Sequence, residues 1–418
     1  MLSPEQGSCA HMIDTEPALH VAQYPPELSK LPTELIESIA RGLRRSGLCS
    51  LRLTCKALYQ KSTHAFGLRL AKVRTTLSST SLQKLEGLSR HEQFGRCAKT
   101  LVIEEDSDRY FGHGYSWNRH PSGSLQFPHP AVDMLQEILM RLENCRCFRI
   151  SSGYEWREGK DCLGNTDALA IILHVIAEAS LPVKTVILEP VWYPWDHALL
   201  HLPTYQTPKF KSAWAHLQSL GFHYRLGIGD VNWMTELVVH ATGLKYLSLK
   251  GWPRNGDLIS RLSSYGKLPN LEELSIVADF CIIRRQVLCN FLILFKDSLR
   301  ELRLRKVSLE DTWEPVLELL RTNFPILETV SLSSLKMLQS NAVNPPTVIS
   351  RRERELRLGV FSTLSENANK LGFQDADFTN IHEKPWAGES RVDGIRYSGR
   401  ERMGDALDVI MQSMEYVK

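Results

Sequence analysis

One template recurs through the middle of this chain and restricts its possible folds more than any other feature. Leu217-Gln-Ser-Leu220-Gly-Phe222, Leu244-Lys-Tyr-Leu247-Ser-Leu249, Leu271-Glu-Glu-Leu274-Ser-Ile276, Leu299-Arg-Glu-Leu302-Arg-Leu304 and Leu327-Glu-Thr-Val330-Ser-Leu332 all fit LxxLxL. Their first leucines stand at positions 217, 244, 271, 299 and 327, so the step is almost constant. A constant step means one small unit restated, and a unit of this size must stack on its neighbours to bury its apolar edge. Looser copies at Leu101-Val-Ile103, Phe148-Arg-Ile150 and Val183-Lys-Thr-Val186-Ile-Leu188 are more widely spaced, so insertions interrupt the early units. Each copy alternates its faces like a short strand. Helical spacing fills the gaps: Leu258, Ile259 and Leu262; Val287, Leu288, Phe291 and Leu292; Val316, Leu317 and Leu320. Residues 131–142 and 167–179 are amphipathic in the same way.

Strand, turn, helix and turn at this period resemble a leucine-rich-repeat solenoid. An ordinary α/β domain with parallel strands shares the alternation but gives no reason for the constant step. In an LxxLxL strand the leucines face the core, and the residues between them face the inner curved surface. That register puts Thr185, Ile187 and Glu189, then Ser219, Gly221 and His223, on the inner surface. It adds Tyr246, Ser248 and Lys250; Glu273, Ser275 and Val277; Glu301, Arg303 and Arg305; and Thr329, Ser331 and Ser333. Glu273 is expected beside Glu301, and Lys250 two repeats from Arg305. Tyr246, Lys250, Glu273, Arg303 and Arg305 are the candidates for holding a protein client, since tyrosine and arginine are favoured at binding hot spots. A merely solvated face is the plainer alternative.

A second organised stretch precedes the repeats. In residues 31–66, Leu31, Leu35, Ile39 and Leu43 recur every fourth position, which aligns them on one helix face. Pro32 suits a first helical turn, and Gly42 and Gly47 punctuate the turn that follows. Leu48, Leu51 and Leu53, then Cys55, Leu58, Tyr59 and Phe66, form two further apolar sets. Three helices this short are marginal alone in water, and each large apolar side chain left wet forfeits roughly 1.5–3 kcal/mol. The unit is therefore expected to lean on something else. Its order, Leu31-Pro32-x-Glu34-Leu35-Ile36, Ile39, Leu43, Leu48, Leu51-Arg52-Leu53-Thr54-Cys55-Lys56-x-Leu58-Tyr59, resembles an F-box. That resemblance covers a small part of the chain but runs through the whole motif. It implies three helices that dock on a Skp-type adaptor and so reach a cullin ubiquitin ligase. It places adaptor contacts among Leu31, Pro32, Leu35, Ile36, Ile39, Leu48, Leu51 and Leu53, some of which must instead face the unit's own core. Gly47 stands where the family often has an acidic residue, which leaves Ser46 or Gly47 to cap the second helix. The plain alternative is an ordinary helical subdomain. The tail, with Trp386 and a helix after Tyr397, is also similar to F-box proteins of filamentous fungi.

Around these two blocks the chain is expected to divide as follows. Residues 1–27 are a polar, disordered lead-in, 28–66 the F-box-like unit, and 67–97 a helical linker. Residues 98–338 are the repeat domain and 339–418 a C-terminal cap and tail. In the last segment 351–371 reads as a charged helix, 372–400 as turn-rich, and 403–417 as an amphipathic helix. The fold class expected is α/β: a three-helix F-box, an irregular leucine-rich-repeat solenoid and a helical cap.

The net charge of +3 carries no electrostatic footprint for nucleic acid. No apolar run is long enough for a bilayer, and the start has no signal-peptide pattern. Nine scattered cysteines without a CxxC pair read as reduced thiols, so cytoplasm or nucleus is expected. Cys145, Cys147 and Cys162 are too few for a metal cage. Residues 111–130 form the longest irregular insertion, with His113, His120 and His129, but without the short fixed spacing of a zinc site. Val191-Trp-Tyr-Pro-Trp195 is an aromatic cluster that either packs on an edge or lines the client site. His174 and Glu178 share a helix face and read as a partly buried pair rather than an acid/base couple. No serine-hydrolase, phosphate-loop, metalloprotease or dinucleotide motif occurs. Neither catalysis nor a cofactor or metal is expected. The leading expectation is a substrate-recognition subunit of a Skp–cullin–F-box ligase. A repeat scaffold without a ligase role, or an enzyme using the histidine-rich insertion, remain as alternatives.

Overall fold

The computed structural model describes residues 28–104, 111–151, 163–189, 207–223, 230–251, 255–266, 268–278, 282–339, 352–374, 377–380, 383–386, 389–392 and 394–417. The expected lead-in, Cys162 and the Val191–Trp195 cluster lie outside them. The chain divides into two compact units, Met1–Arg69 and Leu70–Lys418.

The first unit is helical: a 3₁₀ turn at Leu28–Lys30, then α1 Thr33–Gly42, α2 Arg45–Thr54, α3 Lys56–Lys61 and α4 Thr63–Arg69. Pro32 precedes α1 as its N-cap with extended backbone instead of entering the first turn. Nor do Ser46 and Gly47 cap α2: the helix starts earlier, with Arg44 at its N-cap and no side-chain cap. Ile36, Ala40, Leu48, Leu51, Leu58 and Ala65 close a small core, with Leu31, Leu43 and Phe66 packed at its rim. Cations tie the ends. Arg69 Nη2 donates to the carbonyls of Arg41 and Leu43 at 2.9 and 3.0 Å, at the negative end of α1. Lys61 Nζ donates to Ser29 and Leu31 carbonyls at 2.9 and 2.6 Å.

In the second unit strands and helices alternate: β1 Lys72–Thr75, α5 Ser79–Arg90, α6 Glu92–Gly95, β2 Thr100–Glu104, α7 Pro130–Arg141, β3 Cys147–Ser151, α8 Asn165–Glu178, β4 Thr185–Leu188, α9 Pro208–Trp214 and β5 Ser219–His223. There follow α10 Asp230–His240, β6 Tyr246–Lys250, α11 Asn255–Ser264, β7 Glu273–Val277, β8 Ile282–Ile283, α12 Arg285–Ile293, β9 Glu301–Arg305, β10 Ser308–Leu309, α13 Glu314–Asn323, β11 Thr329–Ser333 and β12 Lys336–Gln339. The end of the chain adds β13 Arg352–Val360, α14 Phe361–Lys370, β14 Phe378–Asn380, β15 Glu383–Trp386, β16 Glu389–Val392, β17 Gly394–Ser398, α15 Met403–Gln412 and β18 Met414–Val417.

The result is a mixed α/β molecule built on a large, mostly parallel sheet of 11 strands, in the order β1-β2-β3-β4-β5-β6-β7-β9-β11-β17-β14. From β1 to β11 spatial order follows chain order without a reversal, and every pairing is parallel. Helices pack in the same sequence, α5 on α7, α7 on α8 and α8 on α9, then α10 to α13 each on the next. One helical layer therefore covers one face. The register is the one the repeat implies: Leu220, Leu247, Leu274, Leu302 and Val330 align, as do Phe222, Leu249, Ile276, Leu304 and Leu332. All ten are at most 2% exposed and form the core with the helices. After β9 and β11 the chain turns at Lys306 and Ser334, one repeat apart, with left-handed φ of 55° and 49°. Those turns lead to short second strands, and β8, β10 and β12 pair in parallel as a smaller sheet.

Four expected segments differ. The helix expected over 403–417 ends at Gln412, and Met414–Val417 is strand β18, paired with β13. Residues 67–97 are not wholly helical, because β1 forms the first strand of the main sheet by pairing with β2. Residues 352–360 are strand β13 instead of the start of a charged helix, paired antiparallel with β12, β16 and β18. The turn-rich stretch holds four strands among its described residues, so the end of the chain is not simply helical: β17 pairs antiparallel with β11 and covers the sheet's last parallel edge, while α15 packs on α13 and α14.

Candidate functional site

Two surfaces carry the candidate residues. On the first unit the Leu/Ile stripe of α1 divides. Ile36 and Ala40 point into the core, whereas Leu35 and Ile39, one position earlier in each turn, are 51% and 40% exposed. In α2, Leu48 and Leu51 are buried and Leu53 is 85% exposed. Pro32 is exposed and Leu31 half-buried. Of the eight expected adaptor contacts, Ile36, Leu48 and Leu51 thus build the unit's own core, and Pro32, Leu35, Ile39 and Leu53 face outward. Tyr59 and Leu28, outside the expected set, are exposed as well. Arg52 is buried, its guanidinium 3.9 Å from the Tyr59 ring centroid and 4.4 Å from that of Phe66. Its Nη1 donates to the Tyr59 carbonyl at 3.2 Å.

The second surface is the sheet face away from the helices. Tyr246 aligns with Glu273, Glu273 with Glu301, Ser248 with Ser275, and Ser275 with Arg303. His223, Lys250, Val277 and Arg305 align on successive strands, so Lys250 and Arg305 stand two strands apart. Lys250, Glu273, Arg303 and Arg305 are exposed and Tyr246 half-buried. Glu301 accepts from Arg303 Nε at 2.6 Å and lies 3.6 Å from Arg396 Nη2, and its carboxylate holds the Arg303 guanidinium protonated. Arg149 pairs with Glu189. Partial desolvation at the sheet surface lowers the Lys250 ammonium, and Arg303, Arg305 and Arg149 lower it further. His223 is pushed down to about 4 by burial first and by Lys250 and Arg149 second. It is therefore neutral near pH 7, with Nε2 2.9 Å from Ser248 Oγ. Arg149 and Arg396 were not among the expected residues. Arg149 could have been found from the loose copy Phe148-Arg-Ile150, whereas Arg396 reaches the face through the antiparallel pairing of β17, which leaves no local signal.

The histidine-rich insertion is packed. His129 caps α7: its Nδ1 accepts from Ala131 N–H at 3.2 Å, so Nε2 carries the hydrogen and donates to the Ser116 carbonyl at 3.1 Å. Trp117 stacks on that ring at 4.0 Å. Arg119 grips Asp167 at the start of α8 with two hydrogen bonds of 2.9 and 2.6 Å. His174 stacks on Phe127 at 4.1 Å and is lowered by burial, and Glu178 accepts from Lys209 at 2.9 Å. The Cys145 thiol is buried and pushed up to about 12, which suits an inert core thiol. No group of three His, Cys, Asp or Glu arranged to hold a metal occurs among the described residues. Nor is any of their helices long and apolar enough to cross a membrane. Comparison with protein-family models gave no match, and neither did comparison with curated proteins.

Proposed function

We propose that this chain is the client-recognition subunit of a Skp–cullin–F-box ubiquitin ligase. Its first unit is an F-box that docks on a Skp-type adaptor and through it on a cullin. Its second unit is an irregular leucine-rich-repeat solenoid that holds a protein client. The chain does no chemistry of its own, and it works in the cytoplasm or nucleus. Its contribution is positional, turning a bimolecular encounter between client and ligase into a held one.

One observation carries this reading. The first unit closes its own core with Ile36, Leu48, Leu51 and Leu58 and still leaves Leu35, Ile39 and Leu53 in water. Wet side chains of this size forfeit roughly 1.5–3 kcal/mol each, which a partner recovers by covering them. The constant step and the unreversed strand order support the solenoid, since a doubly wound sheet reverses its order at a switch point. The test is capture of a Skp-type adaptor by the full chain, beside the double variant Leu35→Ala/Leu53→Ala. Loss of capture with an unchanged melting temperature is expected. No capture by the parent chain, or equal capture by the variant, overturns the reading.

A further inference from the structure

The charge pattern of the sheet face limits which client segment suits it. Of its four central cations, Arg149 and Arg303 have carboxylate partners, Glu189 and Glu301. Lys250 and Arg305 have no ion-pair partner among the described residues. Both are exposed, and they stand in the same register row on strands separated only by β7. At strand spacing their backbones are about 10 Å apart. The position between them is Val277, and the adjoining row holds Ser248 and Ser275, buried and small. Nothing bulky or acidic in these two rows separates the two cations on β6 and β9.

Resting on the recruiter reading, we infer that this face takes an acidic segment of the client. The segment crosses the strands in a polyproline II conformation, with one side-chain carboxylate on Lys250 and a second, three residues away on the same face, on Arg305. Polyproline II turns once in three residues and rises about 9 Å, which keeps both carboxylates on one face and matches two strand spacings. Two separated single charges suit two carboxylates better than one dianion, which a convergent cluster would grip. Lys250 gains most from the arrangement, because in the free protein it faces Arg149, Arg303 and Arg305 and pairs with no carboxylate among the described residues.

The test uses the full chain and short fluorescein-labelled peptides carrying Asp-x-x-Asp, Asn-x-x-Asn, Asp-x-Asp or a single phosphoserine, read by anisotropy at low and physiological salt. Asp-x-x-Asp should bind tightest, and Lys250→Ala and Arg305→Ala should each weaken it about fivefold. Lys250→Arg should restore binding. Both variants sit on exposed strand positions, and melting curves confirm that they fold. Equal binding of Asn-x-x-Asn, insensitivity to both variants, or preference for the phosphoserine peptide overturns the inference. Adaptor capture is read in parallel and does not involve this face. Retained capture with failed peptide binding sinks the acidic segment alone, whereas lost capture sinks the recruiter reading itself.

Discussion

Single side chains on this molecule are tuned by their neighbours in ways that can be measured. His223 titrates at about 4 instead of 6.5 because burial, Lys250 and Arg149 all oppose its charge. The unfolded chain therefore takes up that proton first. Stability from this residue is intact above pH 6.5 and is lost as pH falls toward 4. Melting temperature should drop across this window, and His223→Gln should flatten the drop. His174 and His240, also lowered by burial, keep some slope in the variant. An identical slope in parent and variant would show that His223 is not so poised. Arg52 offers a second case, a buried cation held by two rings and by hydrogen bonds to the Tyr59 carbonyl and Thr63 Oγ1. Replacing it with Met should destabilise the first unit by about 2 kcal/mol, read by urea denaturation.

Elements are held by a few such contacts. The 111–130 segment owes its place to the pair between Arg119 and Asp167, whose carboxylate is 2% exposed. Arg119→Met strands that carboxylate with fewer partners and should cost about 3–5 kcal/mol. Faster proteolytic cleavage within the insertion is the expected readout, and a protected insertion would count against the clamp. In the sheet, Leu247 and Leu302 share one buried row. Truncating either to Ala should cost about 2–5 kcal/mol. Leu53→Ala, at an exposed site, should stay within about 0.5 kcal/mol. The two outcomes separate buried leucines from exposed ones by denaturation alone.

At the scale of the whole chain, a stack of parallel strands leaves an open edge at each end, and open edges invite pairing with other chains. Here β17 pairs along the full length of β11, with Gly394 opposite Ser333. A Cβ at Gly394 would meet Ser333 Cβ at 2.5 Å, so the strands approach closely there. Deleting the chain from Gly394 onward should expose the β11 edge and produce oligomers, visible by light scattering. A monomeric truncated chain would show that the edge is protected by something else.

Sequence alone determined the strands of the repeat. A core-facing LxxLxL copy needs only neighbours of its own kind, so its near-constant step fixed strand position, facing and register together. The composition of the exposed sheet face followed, down to Lys250 and Arg305 standing two strands apart. Other features were decided only by tertiary structure. Residues 352–360 alternate Arg and Glu before Leu356, Leu358 and Val360, which suits either helical ion pairs or a two-residue strand repeat. Pairing with β12, β16 and β18, remote in sequence, made them a strand. In the first unit, the apolar stripe of α1 could not say whether Leu35 or Ile36 faces inward. Packing of α3 and α4 on α1 chose Ile36. Local periodicity names the apolar side chains of a short helix, but only the elements packed against it decide which of them remain in water.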